Sequence, residues 1–314
     1  MVYPLKFENL YYDKIWGGRD FELFRDTLPD GNIGESWDIA CHPHGISIVT
    51  KGKFKGMSLA ELIELKGDEL LGTKISKDWF PLLIKLINAK DQLSVQVHPN
   101  DEYAKKNGEY MGKTEIWYVV EAFKGANLVV GTKENCTKED FKSALEDGQL
   151  DKYLNTIPVK KGEVYFIQSG LIHAIGAGVI IAEIQQNSDT TYRVYDYNRG
   201  RELHIEKALD VVDLTLKSEK IEGITTNNIG YSKTQLCLDK NFSLELYNVQ
   251  DSFTENSDPE RFYTFTCVEG SGEIHYINGI EKIKMGDSIL IPASLGKYTF
   301  IGNMKVLKSY MPSL

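Results

Sequence analysis

Residues 92–101, QLSVQVHPND, place Gln96 and His98 two positions apart in an extended apolar run. Side chains two apart leave a strand on the same face, so an amide and an imidazole point together. Glu115 opens the next such run, EIWYVVEAF, and His173 precedes the turn Gly176-Ala177-Gly178. Two imidazoles, a carboxylate and an amide oxygen make a ligand set for Zn²⁺. Positions left open to water or substrate would make that site catalytic. The mixed nitrogen and oxygen set also suits Co²⁺, Mn²⁺ or Fe²⁺. Singly, each residue has an ordinary reading: a hydrogen-bonded core histidine, a polar strand residue, a solvated carboxylate. Their conjunction carries the signal, because a Gln-x-His pair inside LSVQV is costly unless paired or ligated.

A second group lies in residues 182–201, AEIQQNSDTTYRVYDYNRGR. Folding the chain back at 176–178 sets His173 near Ile181, and by parity Glu183 then points into the same cavity. Asp189 and Arg193 follow in a polar stretch, NSDTTYR, expected to be a loop over the cavity mouth. Lys113, two residues before Glu115, would sit within reach of a cation bound there. The ordinary readings are a surface ion pair for Arg193 and a solvated Lys113. His42 and His44, in ACHPHG, read as loop residues rather than pocket wall.

The elements that must position these groups are mostly strands. Runs rich in β-branched and aromatic residues, bounded by Gly, Asn, Asp and Pro, fall at 46–50, 93–97, 115–123, 127–131, 163–168, 179–186, 243–249, 262–270, 273–279 and 288–293. Helical patterns are few. They cover 58–72, opened by Ser58 with Glu61 three residues on, 137–154, opened by Thr137 and Asp140, and 203–214. Mostly strands with a few helices suggests sandwiches or barrels rather than alternating βαβ units.

The 314 residues exceed what one core usually serves, so two domains are expected. The polar, turn-rich stretch 217–235 sets the boundary, giving domains 1–220 and 221–314. An internal echo supports two related barrels. KGEVYFIQSGLIHAIG near 162 and MGDSILIPASLGKYTFIG near 286 share a Gly, an acidic residue, an apolar strand and a small-residue turn. A fixed polar position follows, His173 in the first and Lys297 in the second.

Composition bounds the partners. With 36 Lys and Arg against 45 Asp and Glu the net charge is −9, so no nucleic acid is expected. An anionic ligand requires a local cationic pocket, for which Lys113, Arg193, Arg199 and Arg201 are the candidates. Four scattered cysteines with no C-x-x-C pair read as reduced thiols, and the location as cytoplasmic. The first residues carry no apolar signal region, and the longest apolar run, 171–184, is too short and polar to span a membrane.

These residues resemble a known family. Gly162, five residues, Gln168-Ser169-Gly170, two residues and His173 follow the second cupin motif, with Gln168 where Pro is usual. Gln96, His98 and Glu115 match the first motif, with Gln96 in place of a His. That replacement is typical of type I mannose-6-phosphate isomerases. GESWDIACHPHGIS, IWGGR, SVQVHPND, GKTEIWYVV, GLIHAIGAG and EIQQNSDTTYRVYDY look like the short bacterial branch of that family, over nearly the whole chain.

The resemblance implies a mainly β fold of two jelly-roll cupin barrels with a few short helices. It implies one Zn²⁺ per chain on Gln96, His98, Glu115 and His173. Arg193, Glu183 and Lys113 become the catalytic candidates, and Arg193, Lys113 and Asp189 the substrate contacts. The second barrel, with Lys297 in place of His, becomes structural. The large helical insertion of longer members is missing. The implied reaction is aldose–ketose isomerisation of a phosphorylated hexose, mannose 6-phosphate to fructose 6-phosphate. Glu183 is the first candidate to move the C2 proton and Lys113 its rival. The phosphate-binding residue and the oligomeric state stay open. The competing readings are a non-catalytic metal- and sugar-binding cupin, or another metal-dependent cupin enzyme.

Overall fold

The computed structural model describes residues 2–312. It is mainly β, as expected, and its strands form three principal sheets. A six-stranded sheet runs in the order Val164–Ile167, Glu115–Ala122, Val179–Gln186, Leu82–Ala89, Ile33–Ile39, Leu10–Gly18. A five-stranded sheet runs Leu154–Pro158, Asn127–Thr132, His173–Ile175, Val95–Val97, Tyr192–Tyr195. A nine-stranded sheet collects the C-terminal strands, and the first strand of the chain, Leu5–Lys6, pairs there with Ser288–Ile291.

Strand parity explains how the layers stack. Along Val179–Gln186 every residue is buried, since this strand is central and both its faces are covered. Val179 and Ile181 join a cluster shared with Leu128, Val130 and Ile175 of the five-stranded sheet, so the two sheets pack face to face. Ile180, Ala182 and Ile184 point the other way. They enter a cluster that includes Leu5, Phe80, Phe242, Phe262 and Leu307. Neighbouring strands alternate likewise. Ile87 and Trp117 face the five-stranded sheet, while Leu86 and Ile116 face the C-terminal strands. Lys85, Glu115 and Glu183 carry the inward parity of Ile87, Trp117 and Ile181.

One expectation is corrected here. His173–Ile175 and Val179–Gln186 do not form a hairpin. The first pairs with Val95–Val97 and Asn127–Thr132, the second with Leu82–Ala89 and Glu115–Ala122. The Gly176–Gly178 turn carries the chain from one sheet to the opposing one. Glu183 reaches the cavity of His173 across the gap between sheets, not along a ladder.

Other differences are local. The 58–72 pattern divides at Gly67, whose φ of +44° ends Leu59–Lys66 before Asp68–Leu71 begins. Ser58 and Glu61 form the anticipated reciprocal cap, as do Thr137 and Asp140. Residues 46–50 supply only the end of the short ladder Cys41–His42 with Gly45–Ile46 and two isolated bridges. Residues 262–279 hold one long strand, Tyr263–Tyr276, where two were expected. The C-terminal strands enclose a cluster rich in aromatic rings. Phe253 stacks on Phe300 at 4.7 Å and on Tyr247 at 4.5 Å. Lys297 opens the strand Lys297–Tyr310 and is exposed.

Candidate active site

Gln96 occupies the central strand of its part of the five-stranded sheet, with His173 directly across on one side and Arg193 on the other. Arg193 therefore belongs to the strand Tyr192–Tyr195, not to a loop. From the opposing sheet, Glu183 lies across from Lys85 on one neighbour and from Trp117 on the other, while Glu115 is two residues along from Trp117. Residues far apart in the chain thus meet between two sheets.

Three of the four expected ligands converge without ambiguity. One ligand atom each from His98, Glu115 and His173 lies within 4.8 Å of the others, and all three residues are buried. His98 Nδ1–H faces the Thr190 carbonyl at 2.9 Å, and His173 Nδ1–H faces the Leu171 carbonyl at 2.9 Å. Those acceptors fix both tautomers, because a carbonyl accepts only from N–H. Both Nε2 atoms are left as lone-pair acceptors, and they face one another 3.2 Å apart. Glu115 Oε1 is 3.5 Å from His173 Nε2 and Oε2 is 3.7 Å from His98 Nε2. Neither Glu115 oxygen accepts a well-aligned hydrogen bond among the described residues.

Opposed lone pairs beside a buried carboxylate repel unless a cation or proton lies among them, so this donor set fits a borderline divalent ion. Burial lowers both imidazole pKa values, with Lys113 adding to the effect. His173 falls to about 4 and His98 well below the ordinary value. Both therefore stay neutral and able to ligate at neutral pH. The Gln96 amide nitrogen is 3.4 Å from His173 Nε2, and a half-turn of the amide presents its oxygen instead.

Around this centre the charges alternate. Lys113 Nζ lies 3.1 Å from both His98 Nε2 and Glu115 Oε2, and 4.0 Å from Glu183. Glu183 pairs with Lys85 at 2.9 Å and accepts from Trp117 Nε1 at 3.1 Å. Lys85 lies 4.0 Å from Glu35, which pairs with Lys14 at 3.2 Å. Burial, then the Glu115 charge, raises the Glu183 pKa. Burial opposes the charge on Lys85, but Glu183 and Glu35 outweigh it and hold Lys85 protonated. Burial also opposes ionisation of Glu35, yet Lys85 and Lys14 bring its pKa down to about 2.

A cavity of about 310 Å³ opens onto these groups, with Gln96, Lys113, Glu183, Arg193 and Arg201 in its wall. Arg193 donates to Ser94 Oγ at 3.2 Å and to the Glu202 carbonyl at 2.8 Å. Asp189 also lines the cavity, with its carboxylate turned to His44 and His42. Arg199 is not among the wall residues. It donates to the Gln92 carbonyl at 2.7 Å and pairs with Asp196. Lys85, Lys14 and Glu35 were not anticipated from the sequence. The available signal was a lone lysine inside the otherwise apolar LLIKLINA, which burial makes costly without an acidic partner.

A mainly β, two-layer scaffold holding a buried His-Glu-His centre defines a cupin-type metalloprotein. Residues 5–132 match the family model for the type I phosphomannose isomerase catalytic domain, and residues 232–311 match that for the mannose-6-phosphate isomerase cupin domain. Mannose-6-phosphate isomerase ManA of Bacillus subtilis is 37% identical, covering 98% of this chain and 99% of its own. The Streptococcus mutans mannose-6-phosphate isomerase is 35% identical, covering 99% of each. The crystal structure of the Bacillus subtilis mannose 6-phosphate isomerase superposes with a TM-score of 0.91 at 32% identity, over 98% of this chain and 99% of that one. The chain belongs to the type I phosphomannose isomerase family.

The Glu35 pKa makes a stability prediction. A carboxylate whose folded pKa lies below its unfolded value stabilises fully above the unfolded value, near 4.5, and loses that contribution as pH falls toward 2. Glu35→Gln is expected to lower unfolding stability by up to about 3 kcal/mol at neutral pH. The gap from wild type should narrow below pH about 4. Urea unfolding at pH 7 and pH 3 measures both, and a gap independent of pH would contradict the charge chain.

Proposed function

We propose that this chain is an intramolecular oxidoreductase interconverting mannose 6-phosphate and fructose 6-phosphate, with one Zn²⁺ held by Gln96, His98, Glu115 and His173. The observation that carries the metal centre is the pair of facing Nε2 lone pairs beside a buried Glu115 carboxylate that accepts no well-aligned hydrogen bond. Bound there, Zn²⁺ supplies polarisation of the sugar C1 and C2 oxygens and stabilises negative charge on them.

The chain's own groups do the rest. A base removes the C2 proton to give an enediolate and delivers a proton to C1, while a proton passes between the two oxygens. Glu183 is suited to the carbon proton, since its raised pKa brings it toward the range in which a carboxylate can both take and return a proton. Lys85 sets a positive charge beside it, and Lys113, 4.0 Å away, remains the rival base. Arg193, stretched between Ser94 and the Glu202 carbonyl, meets anionic oxygen at the cavity wall. Arg201 and Lys14 share that wall, and with Arg193 and Lys113 they form the cationic patch that receives the phosphate. Asp189 at the rim contacts the sugar. Residues 1–220 carry the site as one domain, and 221–314 form a second domain whose interior is filled with aromatic rings. The protein works in the cytoplasm on a small phosphosugar, apart from nucleic acid and membranes. Among the described residues no helix is long and apolar enough to cross a bilayer.

Chelation is expected to abolish production of fructose 6-phosphate in a coupled assay, and Zn²⁺ to restore it. His98→Ala should lose most bound zinc by elemental analysis. Full occupancy in that variant would refute the ligand set. Arg193→Ala should lower turnover by at least about a hundredfold, the low end for a lost electrostatic contact in the transition state. Near-normal turnover would remove Arg193 from the reaction. Glu183→Gln should retain zinc but stop exchange of the C2 proton with solvent in an NMR assay. Continued exchange would transfer that role to Lys113 or to another group.

A further inference from the structure

Outside the buried centre, a second group of ligand-type side chains meets at the cavity rim. His42, His44 and Asp189 each bring one ligand atom within 4.8 Å of the others. His44 Nδ1 lies 2.5 Å from Asp189 Oδ2, and His42 Nε2 lies 3.6 Å from Asp189 Oδ1. His42 ends the strand Cys41–His42, and His44 lies in the two-residue turn that joins it to Gly45–Ile46. The carboxylate comes from the loop after Val179–Gln186.

We propose that these three residues form an accessory cation site for a borderline divalent ion such as Zn²⁺, Co²⁺ or Ni²⁺, distinct from the buried centre. Two neutral imidazoles and a carboxylate are the donor types such ions select, and the exposed side leaves room for water to complete the coordination. The donors are already held in place. Trp37 packs edge-on against the His42 ring at 5.7 Å. Tyr12 donates to the His44 carbonyl at 2.9 Å. Asn187 donates to the Cys41 carbonyl at 2.8 Å, tying the loop to the turn. The geometry has two costs: an ion displaces the hydrogen bond between His44 Nδ1–H and Asp189, and His42 changes tautomer. The His44 backbone N–H donates to His42 Nδ1 at 3.2 Å, and ligation through Nε2 requires the other tautomer, giving up that long contact.

The position gives the site a consequence. Asp189 lines the catalytic cavity and also a neighbouring cavity of about 490 Å³. The next residue, Thr190, supplies the carbonyl that orients His98. An ion on His42, His44 and Asp189 clips this loop to the turn and so holds the carbonyl that aims a buried ligand. His44 is largely exposed, so this ion exchanges more readily than one in the buried centre.

The test uses full-length protein stripped with chelator and dialysed to equilibrium against excess free Zn²⁺, with bound metal measured by elemental analysis and Co²⁺ absorption followed in parallel. Wild type is expected to bind two ions per chain. His44→Ala, at an exposed turn, should bind one fewer and keep the tightly held ion. His98→Ala should show the opposite pattern, losing the tight ion and keeping the rim ion. Wild type saturating at one ion, or His44→Ala binding as many as wild type, would overturn the accessory site. Retention of the tight ion in His98→Ala would instead count against the buried ligand set.

Discussion

Two imidazole lone pairs held face to face in a buried gap between sheets are the constraint on which this molecule turns. Neither ring can relieve the repulsion by rotating, because each Nδ1–H is fixed on a backbone carbonyl. Neither gains a proton readily, because burial disfavours the charged imidazolium. The arrangement is therefore stable only with something electropositive beside it. In this structure Lys113 fills part of that role.

The same rule orders the ions further out. Isolated buried charge is prohibitive, so every charged group here is flanked by its opposite. The sequence Lys14, Glu35, Lys85, Glu183, Lys113, Glu115 runs from the surface to the centre with alternating sign. Removing one member leaves its neighbours uncompensated, which is why residues remote from the sugar bear on the site. Pairing also keeps Lys85 charged and Glu35 ionised, so the field at Glu183 is set by groups that change little with pH around neutrality.

Strand parity is the scaffold's means of assembling this chain. Ile84, Leu86, Ile116, Tyr118, Ala182 and Ile184 bind the six-stranded sheet to the C-terminal strands, while the intervening residues enclose the cavity. The C-terminal strands use their interior differently. Phe253, Phe265 and Phe300 pack together in their core, and Lys297 is exposed. Among the described residues no His, Cys, Asp or Glu group of ligand geometry forms there. An interior filled with rings gives stability, whereas a polar one leaves a cavity.

Much of this was legible in the residues alone. Gln96 and His98 share a face because of a period of two, and seven of the ten apolar runs match strands to within a residue or two, while strands such as Leu82–Ala89, Ile33–Ile39 and Lys297–Tyr310 were not anticipated. The resemblance in QVHPND and GLIHAIG carried the fold and the family. The chain by itself could not say that the Gly176–Gly178 turn changes sheets, since a short turn looks the same whether its strands pair or separate. Nor could it bring Lys85 to Glu183, Lys14 to Glu35, or His44 to Asp189, since the first two pairs depend on which strands become neighbours in the six-stranded sheet and the third on a loop meeting a distant turn. Local spacing determines which face a side chain takes. What lies opposite that face depends on contacts between segments far apart in the chain, and those exist only once the layers have closed.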